Sequence, residues 1–189
     1  MLKTLRAIAA LGIVSEPPPE QDEALRVRTE LPAKIRAILG RALCIRHVDA
    51  GSCNGCELEI HALNNPLYNL EGLGIRFVAS PRHADMLLVT GPVSRHMALA
   101  LRRTYEAMPD PKLVVALGDC GCTGGIFGES YASCGRVANV IPVDVIVPGC
   151  PPAPLRIFQA ILTAISAPQG DAGAPALSPR ARPQRRPPP

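Results

Sequence analysis

The chain is organised around residues 49–59, which read Asp49-Ala50-Gly51-Ser52-Cys53-Asn54-Gly55-Cys56-Glu57-Leu58-Glu59. This segment lies between an apolar run typical of a β-strand and a run typical of a helix. Its Cys-x-x-Cys pair is a pattern shared by zinc sites, thiol-disulfide enzymes and iron-sulfur sites, so the pair alone does not identify the chemistry. The positions of the remaining cysteines must separate these classes.

Two other cysteines occur in the same local setting as the pair. Cys120 and Cys150 each follow an apolar run that ends in glycine. Loops at the carboxyl ends of the strands converge at one edge of an open α/β sheet. We therefore expect four thiols to meet in space with the spacing C-x2-C-x63-C-x29-C, namely Cys53, Cys56, Cys120 and Cys150. Four thiolates are the usual ligands of a 4Fe-4S cluster, so this spacing predicts one such cluster.

Two other functional classes remain open on these residues. A structural zinc protein would also use four cysteines, but zinc sites usually combine two closely spaced pairs, and this spacing is different. A thiol-disulfide enzyme would use Cys53 and Cys56 and would leave Cys120 and Cys150 without a role. Cys44 lies inside an apolar run and is interpreted as a small core residue. Nucleotide binding is disfavoured, because the sequence lacks Gly-x-x-x-x-Gly-Lys-Ser/Thr.

From residue 43 onward, strand-like runs alternate with helix-like segments. The expected strands are Leu43–Val48, Ile75–Ala79, Met86–Thr90, Leu113–Leu117 and Val143–Val147. The expected helices are Glu57–Leu63, a segment from Met97 to Met108 capped by Ser94, and a last helix with Pro152 in its first turn. Strands separated by helices predict an α/β fold with a doubly wound parallel sheet.

The two ends of the chain differ in composition from this domain at residues 43–166. Residues 1–42 predict a helical extension with an apolar face near Leu2 and Ile8, a linker over residues 15–31, and a second helix from Pro32 to Gly40. Residues 167–189 hold seven prolines and four arginines, which predicts a disordered tail. No stretch approaches the roughly 20 apolar residues that a membrane-spanning helix needs.

The net charge of +4 comes mainly from the tail. Its four arginines and Asp171 give +3, which leaves +1 for residues 1–166. The body is therefore close to neutral, and we expect no nucleic-acid partner. Seven cysteines, an odd number in a chain that is long enough to fold without disulfides, favour reduced thiols and a cytoplasmic location.

Five short motifs occur together, and in this order they resemble the complex I 20 kDa subunit family. They are Ser52-Cys53-Asn54-Gly55-Cys56-Glu57-Leu58-Glu59, Ser80-Pro81-Arg82-His83-Ala84-Asp85, Met108-Pro109-Asp110-Pro111-Lys112, Gly118-Asp119-Cys120 with Gly124-Gly125, and Pro148-Gly149-Cys150-Pro151-Pro152. The family includes the small subunits of membrane-bound energy-converting NiFe hydrogenases and of formate hydrogenlyase. The resemblance covers about residues 43–166 and implies a flavodoxin-like fold with one 4Fe-4S cluster.

One difference within the family favours a branch. Complex I members have two adjacent cysteines at the first motif, whereas this chain has Asn54-Gly55 between Cys53 and Cys56, as on the hydrogenase side. The resemblance implies that Cys53, Cys56, Cys120 and Cys150 are the cluster ligands. Cys120 is preferred to Cys122 because three residues separate it from Gly124-Gly125, as in the family, and Cys134 has no counterpart. Glu59 matches an acidic position that faces the large subunit, although an ordinary solvated carboxylate explains it equally well.

The resemblance also implies what the chain does and what it contacts. It would relay electrons between ferredoxin-like iron-sulfur subunits and a large subunit that holds a NiFe centre or, in the complex I branch, a quinone pocket. Partner contacts are expected at the loops after the first, third and fourth strands, at Glu59 and at Ser80 to Asp85. The N-terminal helix is expected to face membrane-arm subunits. The chain would lie on the cytoplasmic face of the membrane without a transmembrane helix of its own.

Overall fold

The structure is a computed structural model that describes residues 23–166, so the N-terminal helix expected near Leu2 and Ile8 and the tail at residues 167–189 lie outside the described residues. Five α-helices are described: α1 (Glu23–Leu39), α2 (Gly55–Ala62), α3 (Arg95–Ala107), α4 (Gly118–Thr123) and α5 (Pro154–Ser166). The strands are β1 (Leu43–Asp49), β2 (Ile75–Phe77), β3 (Met86–Thr90), β4 (Leu113–Leu117) and β5 (Val145–Val147). Within the described part, no helix is both long and apolar enough to cross a membrane.

All five strands run parallel in one sheet with the order β2-β1-β3-β4-β5. This is the strand order of flavodoxin-like folds. The expected α/β class and parallel sheet are therefore confirmed, and β3 and β4 have the expected bounds. β2 and β5 are shorter than expected, because pairing with β1 ends at Phe77 and pairing with β4 begins at Val145.

The central strands are buried on both faces, which explains their uninterrupted apolar runs. On β3, Met86 and Leu88 belong to the core covered by α1, α2 and α5, whereas Leu87 and Val89 belong to the core covered by α3. The connection after β1 therefore packs on one face and the connection after β3 on the other. In a doubly wound sheet, ligands bind in the crevice at the carboxyl ends of two such neighbouring strands.

The predicted linker over residues 15–31 is wrong for its described part, because α1 already begins at Glu23 and contains Pro32 in its interior. A proline inside a helix costs about 3 kcal/mol. Leu31 and Ile35, at 0% and 2% exposure, are buried where α1 packs against α5. Burying two such side chains gains about 1.5–3 kcal/mol each. Tertiary burial thus outweighs the local preference for a helix that starts at the proline.

Two other helix starts test the sequence signals. Ser94 caps α3 as expected, since its Oγ accepts a hydrogen bond of 3.3 Å from the Met97 amide. The expected first-turn position of Pro152 is wrong, because α5 begins at Pro154. Pro152 and Pro154 are both suited to the first turn of a helix, where proline is favoured. The path of the loop after β5 decides that the helix begins at Pro154.

We expect Leu31→Ala to lower the free energy of unfolding by about 2–5 kcal/mol, because it leaves a cavity between α1 and the core. Ile38→Ala on the same helix is the matched control, since Ile38 is 51% exposed. Its effect should stay below about 1 kcal/mol. Chemical denaturation of the full chain measures both values. A small and equal effect of the two changes would mean that α1 is not part of the core.

Candidate metal centre

Four cysteines line one small cavity at the carboxyl edge of the sheet: Cys53, Cys56, Cys120 and Cys150. Cys53 lies in the loop after β1 and Cys56 in the first turn of α2. Cys120 lies in α4, directly after β4, and Cys150 follows β5. Ser52, Gly91 and Asp119 complete much of the lining. The parallel strands therefore bring together thiols that are up to 97 residues apart in sequence.

Hydrogen bonds within the first loop fix the Cys-x-x-Cys pair. Asp49 Oδ1 accepts hydrogen bonds of 2.8 Å from the amides of both Gly51 and Ser52. Burial alone would raise the pKa of Asp49, but these amides together hold the pKa below its ordinary value. Asn54 then adopts a left-handed conformation with a φ of 71° and leads into α2. The loop is thus held by its own side chains on the way from Cys53 to Cys56.

A reciprocal pair of hydrogen bonds joins the loops of the third and fourth cysteines. The Asp119 amide donates to Gly149 O at 2.8 Å, and the Gly149 amide donates to Asp119 Oδ1 at 2.7 Å. Each of the two residues immediately precedes a cysteine of the cavity, Cys120 and Cys150. The separation of these two thiols is therefore set by backbone contacts and one carboxylate.

Two glycines are required by the close approach of cysteine sulfur. A Cβ on Gly118, where φ is +84°, would lie 2.6 Å from Cys56 Sγ. A Cβ on Gly125, where φ is +56°, would lie 2.8 Å from Cys120 Sγ. Both positions combine a backbone conformation that favours glycine with no space for a side chain. The two glycines thus leave room for the sulfur atoms of Cys56 and Cys120.

The thiols are mutually unfavourable as free thiolates. Burial raises the pKa of Cys56 to about 12, with further contributions from Glu57 and from the other three cysteines of the cavity. Burial also raises the pKa of Cys120, followed by the effects of Cys150 and Cys53. Such thiols keep their protons at neutral pH unless a metal replaces them. The donor set therefore suits a metal centre better than it suits a thiol nucleophile.

The arrangement differs from a site for a single ion. A zinc ion needs its four sulfurs about 2.3 Å from one point. Across residues 23–166, no three His, Cys, Asp or Glu side chains are placed to hold one metal ion together. Four iron ions with their sulfides separate the thiolates more widely than one ion does. Four cysteines around a glycine-walled cavity are consistent with that larger group.

The other cysteines lie away from the cavity. Cys122 is buried in α4, and its thiol donates to Ala116 O at 3.5 Å, while burial raises its pKa to about 12. Because a helix turns by about 100° per residue, Cys120 and Cys122 face different directions. The sequence did not predict α4, since its glycines suggested only a turn. Cys44 lies on β1, and Cys134 packs against the core beneath α3.

The two acidic side chains of α2 have different surroundings. Glu59, the residue singled out from the sequence, is half-buried and does not line the cysteine cavity. Glu57 was not singled out, yet it is buried at 8% exposure. Its burial has a weak signal in the sequence, because it shares a helix face with buried Ile60 at the i, i+3 spacing.

Comparison with known proteins agrees with this architecture. The chain is 45% identical over 133 residues to the probable membrane-bound hydrogenase subunit mbhJ of Pyrococcus furiosus, covering 70% of this chain and 80% of that protein. It is 43% identical to formate hydrogenlyase subunit 7 of Escherichia coli, covering 71% of this chain and about half, 53%, of that protein. It is 46% identical to a subunit of the NADH-quinone oxidoreductase of Desulfovibrio desulfuricans, covering 65% of this chain and 66% of that protein.

A solved structure gives the same result in three dimensions. A chain of the membrane-bound sulfane sulfur reductase, an archaeal respiratory membrane complex, superposes with a TM-score of 0.54 and 33% identity. The match covers 76% of this chain and 72% of that chain. Residues 53–164, which contain all four cysteines of the cavity, match the family described as NADH ubiquinone oxidoreductase, 20 Kd subunit. The chain therefore belongs to this complex I 20 kDa subunit family.

Proposed function

We propose that this chain is the electron-transfer subunit of a membrane-associated oxidoreductase complex and holds one 4Fe-4S cluster. The ligands in this proposal are Cys53, Cys56, Cys120 and Cys150. The observation that carries it is the convergence of these thiols on one cavity that is also lined by Gly55, Gly91 and Gly149. Behind two of the thiols, a Cβ on Gly118 or Gly125 would collide with cysteine sulfur. When bound, the cluster accepts and releases one electron at a time.

The residues of the cavity are suited to holding a redox group rather than to converting a substrate. The lining consists of the cysteines, glycines, Ser52, Asp119 and Pro151, and the side chains there orient loops. The chemistry on substrate therefore belongs to another subunit. We assign that role to a NiFe-type large subunit, with ferredoxin-like subunits as electron donors or acceptors and with membrane-arm subunits beneath. The cytoplasmic face of the membrane is the proposed location.

The whole complex could belong to either of two branches of the family, the hydrogenase type or the quinone-reducing type. The Cys-x-x-Cys spacing at Cys53 and Cys56 and the likeness to hydrogenase subunits favour the hydrogenase type. The 46% identity to the NADH-quinone oxidoreductase relative favours a quinone-reducing complex instead. The sequence of the large subunit that assembles with this chain would decide between them. Paired Cys-x-x-Cys motifs near its two ends identify a nickel site, and their absence identifies a different acceptor.

Exposed apolar side chains near the cysteines in the sequence support a covering partner. Leu58, two residues after Cys56, is 62% exposed. Ile126, next to Gly125, is 93% exposed, and Tyr131 on the same loop is 95% exposed. Large apolar side chains grouped on a surface mark sites of protein contact. The expected contact segment Ser80 to Asp85 precedes β3, and its Asp85 is engaged by Arg41 and by the Cys44 amide near the start of β1. Only the exposed Arg82 and His83 of this segment are therefore proposed to contact a partner, apart from the surface that covers the cysteines.

The decisive experiment is metal analysis of the anaerobically purified complex, in which this chain should contribute about four irons and four sulfides. Replacing Cys53, Cys56, Cys120 or Cys150 by serine should abolish or severely change the paramagnetic signal of the reduced cluster. Cys122→Ser and Cys134→Ser are the matched controls and should leave the signal intact. A colourless protein with one zinc ion would end the proposal. Loss of the signal in Cys122→Ser but not in Cys120→Ser would make Cys122 the third ligand.

Asp119 offers a test of how the ligand loops are joined. Asp119→Ala removes the acceptor of the Gly149 amide, so we expect faster loss of iron to a chelator and about 1–3 kcal/mol lower stability. Asp119→Asn keeps an oxygen acceptor and should retain iron. Because it removes a negative charge beside Cys120, it should raise the cluster's reduction potential in a redox titration. Equal iron retention in both variants would mean that the hydrogen bond between Asp119 and the Gly149 amide does not help to hold the ligand loops.

Glu59 is proposed to face the large subunit. Glu59→Gln should lower turnover of the complex severalfold while iron content and the paramagnetic signal stay unchanged. Exposed Glu71, which does not line the cysteine cavity, provides the matched control Glu71→Gln. Turnover assays of both variants beside the parent complex measure the effect. Equal turnover in all three would show that Glu59 is an ordinary solvated carboxylate.

A further inference from the structure

A second cavity of about 360 Å³ lies on the other side of α2 from the cysteines. Its polar lining comes from β1 and α2: Arg46, His47, Glu57, His61 and the adjacent Asn64. Its apolar lining comes from Ile60 and from Phe77 and Val78 at the end of β2. The cavity therefore combines an apolar wall with convergent polar groups.

Glu57 is the residue that needs an explanation. It is 8% exposed, and among the described residues neither of its carboxylate oxygens has a hydrogen-bond partner. Buried carboxylates are normally paired, because leaving one desolvated and unpaired is costly. A native protein that keeps such a group has a reason for it, such as a partner that arrives later.

The neighbouring cationic groups of the chain do not satisfy Glu57. His47 Nε2 lies 3.7 Å from Glu57 Oε1, beyond hydrogen-bonding distance, and 3.0 Å from Thr90 Oγ1. Burial lowers the pKa of His47 despite the opposing effect of Glu57, so the ring is neutral at pH 7. Arg46 lines the same cavity, but its Nε is itself buried without a partner, and no ion pair joins it to Glu57 within the described residues.

We propose that Glu57 receives an arginine or lysine side chain from the partner subunit that covers the cysteine site. This inference rests on the proposed function, because that function supplies the partner. The cavity suits such a side chain: Ile60, Phe77 and Val78 can pack along its methylene groups while Glu57 binds its charged end. The cavity also adjoins the proposed contact surface, since exposed Leu58 directly follows Glu57 on α2.

The free chain and the assembled complex should respond to Glu57→Gln in opposite directions. In the free full-length chain the change removes an unpaired buried charge, so the temperature of thermal unfolding should rise. In assembly with the other subunits, the dissociation constant should increase at least tenfold, because an incoming cation loses its carboxylate. Glu106→Gln, an exposed site on α3, is the matched control and should change neither quantity.

A purely internal role for Glu57 predicts a different result. If Arg46 neutralises Glu57 within the chain, Glu57→Gln and Arg46→Gln would both lower the thermal stability of the free chain, and the proposal would be overturned. An unchanged dissociation constant would overturn it as well. A structure of the complex should place a nitrogen of a partner arginine or lysine within 4 Å of the Glu57 carboxylate. Water or a small neutral molecule in that place would refute the inference.

The experiments distinguish a failure of the proposed function from a failure of this inference. Iron and sulfide content and the paramagnetic signal of the Glu57→Gln chain should match those of the parent chain. If they match while assembly is unaffected, the inference is wrong and the cluster assignment stands. If the parent chain itself carries no iron, the proposed function is wrong, whatever the behaviour of Glu57.

Discussion

The site depends on the parallel pairing of β1, β3, β4 and β5 in one register. Because the strands point the same way, the loops that follow β1, β4 and β5 leave the sheet at the same edge, and each carries cysteine. A slip of one residue in any pairing would turn that strand's side chains to the opposite face. The two cores, which share β3 between them, hold the register in place. The position of the thiols is thus a consequence of apolar packing below them.

Local signals in the sequence were reliable where burial is uniform. β3 and β4 are covered on both faces, so their uninterrupted apolar runs predicted their bounds correctly, and Ser94 predicted the start of α3. Signals failed where distant residues decide the outcome. Pro32 suggests a helix start, but contacts of Leu31 with the core extend α1 through it. The glycines of residues 118–125 suggest a turn, yet the first six residues of this segment form α4. Local propensity cannot include such contacts.

The convergence of the cysteines could be predicted from the sequence, whereas the burial of Glu57 could not, because the first depends on topology and the second on packing. Convergence follows from topology alone, because every loop at the carboxyl edge of a parallel sheet approaches the others. Burial of a carboxylate on α2 depends on how closely the helix packs against β1 and the end of β2. Periodicity placed Glu57 on the same face as Ile60, but glutamate at such a position is ordinarily solvated. Only the packed structure shows that Glu57 is buried whereas Glu59 is half-buried.

Adjacent residues of α2 connect the two cavities. Cys56 lines the first and Glu57 the second, so a charge bound at Glu57 lies one residue from a proposed ligand. In the free chain, Glu57 already acts on Cys56, whose pKa it helps to raise. A cation that pairs with Glu57 would cancel this effect and favour added electrons on a cluster. Under the proposed function, assembly would therefore do more than shield the cluster from water. It would also raise the reduction potential of the cluster.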